Sequence, residues 1–138
     1  MAQFDPPVHR PIVLRGVVDD AAKSFRDGMA AYATGDYQAA VRQLQVASRL
    51  DENRPDYSFF LGIALLLTDD TPAASAALQR TIDYGESPFL EDAHFFLAKA
   101  RLRAGDLQSA HRALAIVARS QSPRGQEASE LLEALDDL

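Results

Sequence analysis

Phe25-Arg26-Asp27-Gly28-Met29-Ala30-Ala31-Tyr32-Ala33-Thr34-Gly35-Asp36-Tyr37-Gln38-Ala39-Ala40 reads as one helix, a break and the start of a second helix. Phe25, Gly28, Met29 and Tyr32 fall at i, i+3, i+4 and i+7, a single helical stripe. Gly35-Asp36 interrupts it, and Ala40, Val41, Leu44 and Ala47 begin another. The pattern returns twice. Setting Gly35-Asp36-Tyr37 over Gly105-Asp106-Leu107 brings Phe25, Phe59 and Phe95 into one column. Gly28, Gly62 and Ala98 then coincide, as do Ala40, Ala74 and Ala110, and Leu44, Leu78 and Leu114. Phe59 follows Phe25 by 34 residues and Phe95 follows Phe59 by 36. The two extra residues sit around Tyr84-Gly85-Glu86-Ser87. A fixed period of this length marks a repeat array.

Outward from this stretch, start signals bound the helices. Thr71-Pro72, Ser87-Pro88 and Ser122-Pro123 each offer a hydroxyl as N-cap and a proline for the first helical position, and Pro55 plays the same part. The spacing predicts helices over 20–33, 37–50, 55–68, 72–83, 88–103, 107–119 and 123–137. Gly28 with Ala40, Gly62 with Ala74 and Ala98 with Ala110 are read as places where two helices approach closely. The last helix carries Ala128, Leu131, Leu132, Leu135 and Leu138 on one side and Glu127, Glu130, Glu133 and Asp136 on the other. It is read as a cap over the open end of the array, its acidic side in solvent. Residues 1–19 are expected to form an extended arm, because Pro6, Pro7 and Pro11 disfavour a helix. The arm's Phe4, Val8, Ile12, Val13, Leu14, Val17 and Val18 are too apolar for a solvated linker, so it is expected to pack on the repeats.

Composition excludes several functions. The 138 residues suffice for one domain. Fourteen Lys and Arg against 20 Asp and Glu give a net charge of −6, which disfavours a nucleic-acid partner. Cysteine is absent, which removes disulfides, thiolate metal sites and cysteine nucleophiles. The longest uncharged run, Tyr57 to Thr68, is too short to span a bilayer. No metal or cofactor is expected: His9, His94 and His111 share no face with a carboxylate at ligand spacing, and the isolated glycines make no phosphate loop. Ser nucleophiles lack a base. The chain is read as no enzyme.

The period, the Gly35-Asp36-Tyr37 turn and the small residues twelve apart resemble tetratricopeptide repeats (TPRs). The resemblance covers Ala21 to about Ser122. It implies an all-α, right-handed α-solenoid of three TPR-type helix pairs, near residues 21–54, 55–90 and 91–122, with a capping helix over 123–138. The sequence departs from the family at its usual tryptophan, replaced by Ser24, Ser58 and His94, and at Asp27 in a normally apolar column. A looser similarity links Leu14-Arg15-Gly16, Phe25-Arg26-Asp27-Gly28-Met29 and the run Leu90 to Lys99 to repeat regions that follow the membrane span of some bacterial anti-sigma-factor-like proteins. That similarity implies an extracytoplasmic, periplasmic domain; a chain complete in itself would be cytoplasmic. Twelve Arg against two Lys suit a GC-rich bacterial genome.

In tetratricopeptide proteins the first helix of each pair lines a concave groove that selects the partner. By register, that groove here comprises Phe25, Arg26, Met29 and Tyr32, then Phe59, Phe60, Ile63 and Leu66, then Phe95, Lys99, Leu102 and Arg103, with Phe96 beside them. With only Arg26, Lys99 and Arg103 basic, a clamp for a terminal carboxylate is disfavoured. The expectation is a non-catalytic scaffold that holds a protein or peptide by an apolar segment. The alternative is a homodimer formed through the groove or the N-terminal arm.

Overall fold

The computed structural model describes the backbone of residues 9–137 and the side chains of residues 16–137. Among these residues there are seven helices and no strand: α1 (His9–Ala33), α2 (Tyr37–Leu50), α3 (Pro55–Leu67), α4 (Thr71–Tyr84), α5 (Leu90–Arg103), α6 (Leu107–Ala118) and α7 (Pro123–Asp136). Each helix packs chiefly on its neighbours in sequence, so the molecule is a helical solenoid. α1 with α2, α3 with α4 and α5 with α6 form three antiparallel pairs, and α7 closes the end.

The pairs meet where the small residues stand. A Cβ on Gly28 would sit 2.9 Å from Leu44 Cγ, and one on Gly62 would sit 2.8 Å from Leu78 Cγ. The close neighbour is thus the leucine one turn beyond the alanine that the sequence pairs with each glycine. Leu44, Leu78 and Leu114 are all fully buried. The core runs through the middle pair: Leu61, Ala64, Leu65, Ala74, Ala77 and Leu78 join Ala40, Leu44, Ala93 and Leu97 in one cluster. Leu61 and Leu97 join the central core cluster, whereas Asp27 in their column stands exposed beside Lys23 at 3.4 Å. Ser58, where the family usually has tryptophan, is buried with its hydroxyl 2.7 Å from that of Thr81 across the α3–α4 contact.

Aspartates start the second helix of every pair. The side chains of Asp36, Asp70 and Asp106 accept hydrogen bonds from the backbone N–H of Ala39, Ala73 and Ser109. Thr71 is therefore not the cap of α4; it lies inside the helix, because the carboxylate one residue earlier reaches the same free amides. Ser87 caps no helix either. Its hydroxyl accepts from Phe89 N at 3.1 Å in a turn, and α5 begins only at Leu90. Ser122 does cap α7, accepting from Gly125 N, and Pro55 opens α3.

The N-terminal segment corrects the extended reading. α1 is helical from His9, so residues 9–19 are not an extended arm. Pro11 falls in the first turn, where an N–H would have no intrahelical acceptor and its loss costs nothing. Nor do the last residues before the repeats pack on them: Gly16, Val17, Val18, Asp19 and Asp20 are all exposed. Phe4, Pro6, Pro7 and Val8 lie outside the described residues, as do the side chains of Ile12, Val13 and Leu14 and, in the capping stripe, Leu138.

Candidate functional site

α3 is apolar on every side, and its neighbours cover most of it. Tyr57, Ser58, Phe59, Leu61, Gly62, Ala64, Leu65 and Leu66 are buried. Phe60, Ile63 and Leu67 remain, at i, i+3 and i+7, and Leu67 is 47% exposed. This single stripe is the uncovered face of the most apolar helix. In the repeat register it matches Arg26, Met29 and Ala33 of α1 and Phe96, Lys99 and Arg103 of α5. Met29 and Phe96 are likewise half-buried and pack on the central core.

Aromatic rings join the three first helices below this stripe. Phe25 of α1 stacks on Tyr57 at 4.6 Å and meets Phe60 at 6.2 Å. Phe60 lies 5.2 Å from Phe59, and Phe59 lies 6.2 Å from Phe96 of α5. Tyr32 approaches Phe60 edge-on at 6.2 Å. Such offset and edge-to-face contacts each add stabilisation beyond area burial. Phe89, outside the expected groove columns, stacks on Phe59 at 5.1 Å and meets Phe60 at 5.7 Å. The signal for it was the two-residue insertion after α4, which lets the chain turn back before α5.

The twelve residues expected in the groove divide accordingly. Phe25, Met29, Tyr32, Phe60, Ile63 and Leu102 are partly exposed, and Arg26, Lys99 and Arg103 are exposed. Phe59, Leu66 and Phe95 are buried, at 6%, 7% and 0% exposure, and support the surface from beneath. Leu66 yields its place to Leu67, one helical step of about 100° away. Phe95 is covered because the capping helix lies over it: Ala128 and Leu131 pack in its cluster, and the Arg124 guanidinium sits 4.6 Å above its ring.

The cations near α5 are committed to structure. Arg103 donates to the carbonyl of Leu66 at 2.8 Å and lies 3.7 Å from Asp69, tying α5 to the end of α3. Lys99 Nζ stands 5.0 Å from the Phe95 ring. Together with Phe95, Glu127, Glu130 and Leu131 it borders a cavity of about 240 Å³ where α5 meets α7. Arg124 bonds Asp92 at 3.0 Å, and Ser122 donates to Glu91 at 2.7 Å. The hydroxyls of Ser120 and Ser122 hold the Glu91 carboxyl below its ordinary range. Burial lowers the pKa of His94, which favours the neutral ring.

Among the described residues no cluster of His, Asp and Glu could hold a metal, and no helix is long and apolar enough to cross a membrane. What the geometry offers is a half-exposed apolar and aromatic strip across three helices.

Solved structures with the same arrangement are available for comparison. The type III secretion chaperone SycD of Yersinia enterocolitica, in complex with a peptide of the translocator YopD, superposes with a TM-score of 0.76 at 19% identity, over 86% of this chain and 93% of that one. The N-terminal domain of stress-induced protein-1 from C. elegans gives 0.75 at 16% identity, over 87% and 97%. The TPR2B domain of yeast Sti1, solved as a complex with pHsp70, gives 0.75 at 16% identity, over 86% and 97%. Curated protein sequences give no match. The model of the tetratricopeptide repeat matches residues 25–91 and 95–132, most of the chain and every helix pair, and the chain belongs to the tetratricopeptide repeat family.

Proposed function

We propose that this protein is a non-catalytic scaffold that binds a partner protein through an apolar segment laid across α1, α3 and α5. The observation that carries this reading is the Phe60–Ile63–Leu67 stripe, left open on an otherwise buried helix. Met29 and Tyr32 extend it on one side and Phe96 on the other. Apolar side chains from a bound segment gain about 25 cal/mol per Å² on leaving water there. The rings beneath are already fixed by mutual packing, so little ordering entropy opposes binding. The complexes of SycD with a YopD peptide and of the Sti1 TPR2B domain with pHsp70 support a binding role on this fold. With Arg103 and Lys99 engaged by Leu66, Asp69 and Phe95, affinity is assigned to apolar contact rather than to a terminal carboxylate.

The test is a peptide array of apolar and charged segments probed with wild-type protein and with Leu67→Glu and Ile63→Glu. Leu67 is half exposed, so its substitution is expected to leave helicity and melting unchanged while abolishing capture of apolar peptides. Retention of the same peptides by both variants would place binding elsewhere on the molecule.

A further inference from the structure

On the side of α3 turned away from the aromatic strip, the second helices of the first two pairs leave a cavity of about 270 Å³. Leu61 and Leu65 of α3 line it, and both are buried. They sit roughly 150° around the helix from the Phe60–Ile63–Leu67 stripe, so the two surfaces are separate. Gln45, Ser48, Arg49 and Glu52 line one side from α2, and Ala73, Ala76 and Arg80 line the other from α4. α2 and α4 run in the same direction, each being the second helix of an antiparallel pair. Arg49, Glu52 and Arg80 therefore gather toward one end of the cavity, with Gln45 and Ala73 toward the other.

Three polar side chains are buried among the described residues: Ser48, Ser58 and Thr81. Ser58 and Thr81 lie 2.7 Å apart, each also within hydrogen-bond reach of a carbonyl in its own helix. Among the described residues the Ser48 hydroxyl makes no hydrogen bond, although Ser48 is only 8% exposed and borders the cavity. A helical serine ordinarily turns back to the carbonyl one turn earlier, and an unmet buried hydroxyl is costly. The side chains of Gln45, Arg49, Glu52 and Arg80 likewise make no hydrogen bond or ion pair among the described residues. Nor does the repeat demand these residues. In the matching columns of α4 and α6, Ile82, Asp83 and Ile116 stand in place of Ser48, Arg49 and Arg80.

The charges give the chemical class. Arg49 and Arg80 against Glu52 leave one positive charge at that end of the cavity, in a chain of net charge −6. A single negative charge balances it, whereas a dianion such as a phosphate monoester leaves one charge unmet. A guanidinium offers two parallel N–H donors to a planar carboxylate. Ser48 is the neighbour of Arg49 and can donate to the same group. Leu61, Leu65, Ala73 and Ala76 give apolar contact to the remainder of the molecule, and the volume is at the small end of ligand pockets.

We propose that the cavity between α2, α3 and α4 binds a small organic monocarboxylate. Arg49, Arg80 and the Ser48 hydroxyl hold its carboxylate, and its apolar body lies on Leu61, Leu65 and the alanines of α4. Ligand-observed NMR titration with benzoate and hexanoate is expected to show saturable binding at about 1 mM or below. Benzamide and hexanamide keep the shape without the charge and should bind about tenfold more weakly. Arg49→Gln and Arg80→Gln, both at exposed side chains, should each weaken benzoate binding about tenfold with melting unchanged. Ser48→Ala should weaken it too and leave the ligand-free protein no less stable, because the hydroxyl has no bond to lose. Leu67→Glu should bind benzoate as the wild type does, which separates this site from the peptide-binding reading. The proposal is overturned by wild-type protein that shows no saturable binding, by equal binding of benzoate and benzamide, by phenyl phosphate binding more tightly than benzoate, or by affinity indifferent to both arginine substitutions.

Discussion

At the scale of single residues, three turns repeat with one exception. Gly35 and Gly105, each before a capping aspartate, have φ of +84° and +81°; Asp69 in the same place has φ of +64°. Left-handed backbone is open to glycine without cost, whereas a residue with a Cβ is strained there by roughly 1–2 kcal/mol, less for Asp and Asn. Asp69→Gly is therefore expected to raise stability by at most about 0.5 kcal/mol, after glycine's larger unfolded-state entropy is deducted. The ion pair of Asp69 with Arg103, 3.7 Å long and on a side chain 92% exposed, subtracts little. Urea unfolding of the pair of proteins would measure this, and a less stable Asp69→Gly would mean that the ion pair outweighs the strain. The exception also hides the cap of α4 in the sequence. Without a Gly-Asp signature at 69–70, Thr71-Pro72 carries the local start signal; the carboxylate of Asp70 wins because it stands where the free amides of the first turn point.

At the scale of elements, α7 is held by more than its apolar stripe. Leu131, Leu132 and Leu135 are only partly buried, while Ala128 and Gly125 are buried completely or nearly so. A Cβ on Gly125 would overlap the carbonyl oxygen of Ser120 and lie 3.2 Å from that of Val117. The end of α6 thus lies directly against the first turn of α7, and only a residue without a side chain fits. Gly125→Ala is expected to destabilise the protein by roughly 2–4 kcal/mol, since backbone rather than a flexible side chain must move. Thermal unfolding at the wild-type midpoint would show that the junction opens without cost. The sequence displayed the cap's apolar stripe and its Ser122-Pro123 start, both local features. It could not display the Gly125 contact, which depends on how sharply the chain turns at Ser120. α1 taught the converse. Pro11 stands in the first turn, and proline breaks only a helix that already has a turn before it.

At the scale of the whole molecule, stability should fall in two steps on acidification. The folded-state pKa of His94 is lowered by burial, so below its ordinary value near 6.5 the unfolded chain binds the proton first and stability declines as pH falls from there. The second step belongs to carboxylates held low in the folded state. Glu91 is stabilised by Ser120 and Ser122, and Asp106 by the hydroxyl and N–H of Ser109. Their contribution is present above the ordinary carboxylate range and is lost as pH falls through their folded values. His94→Gln is expected to remove the first step and leave the second, and Glu91→Gln to shrink the second. Urea midpoints measured between pH 8 and pH 3 would check this; an unaltered first step in His94→Gln would assign it to another group.

The seven helices, their pairing and their repeat were legible in the sequence because each follows from local periodicity and from the need of each apolar stripe for a neighbour. The groove was legible only as a set of columns. Which member of a column reaches solvent depends on what lies above it: Phe95 disappears beneath Arg124 and Leu131, Phe59 beneath Phe89, and Leu66 turns inward while Leu67 turns out. Helix register is a property of the chain alone. Exposure is a property of neighbours that are distant in sequence, and in a helix apolar on every side no periodicity distinguishes the covered faces from the open one.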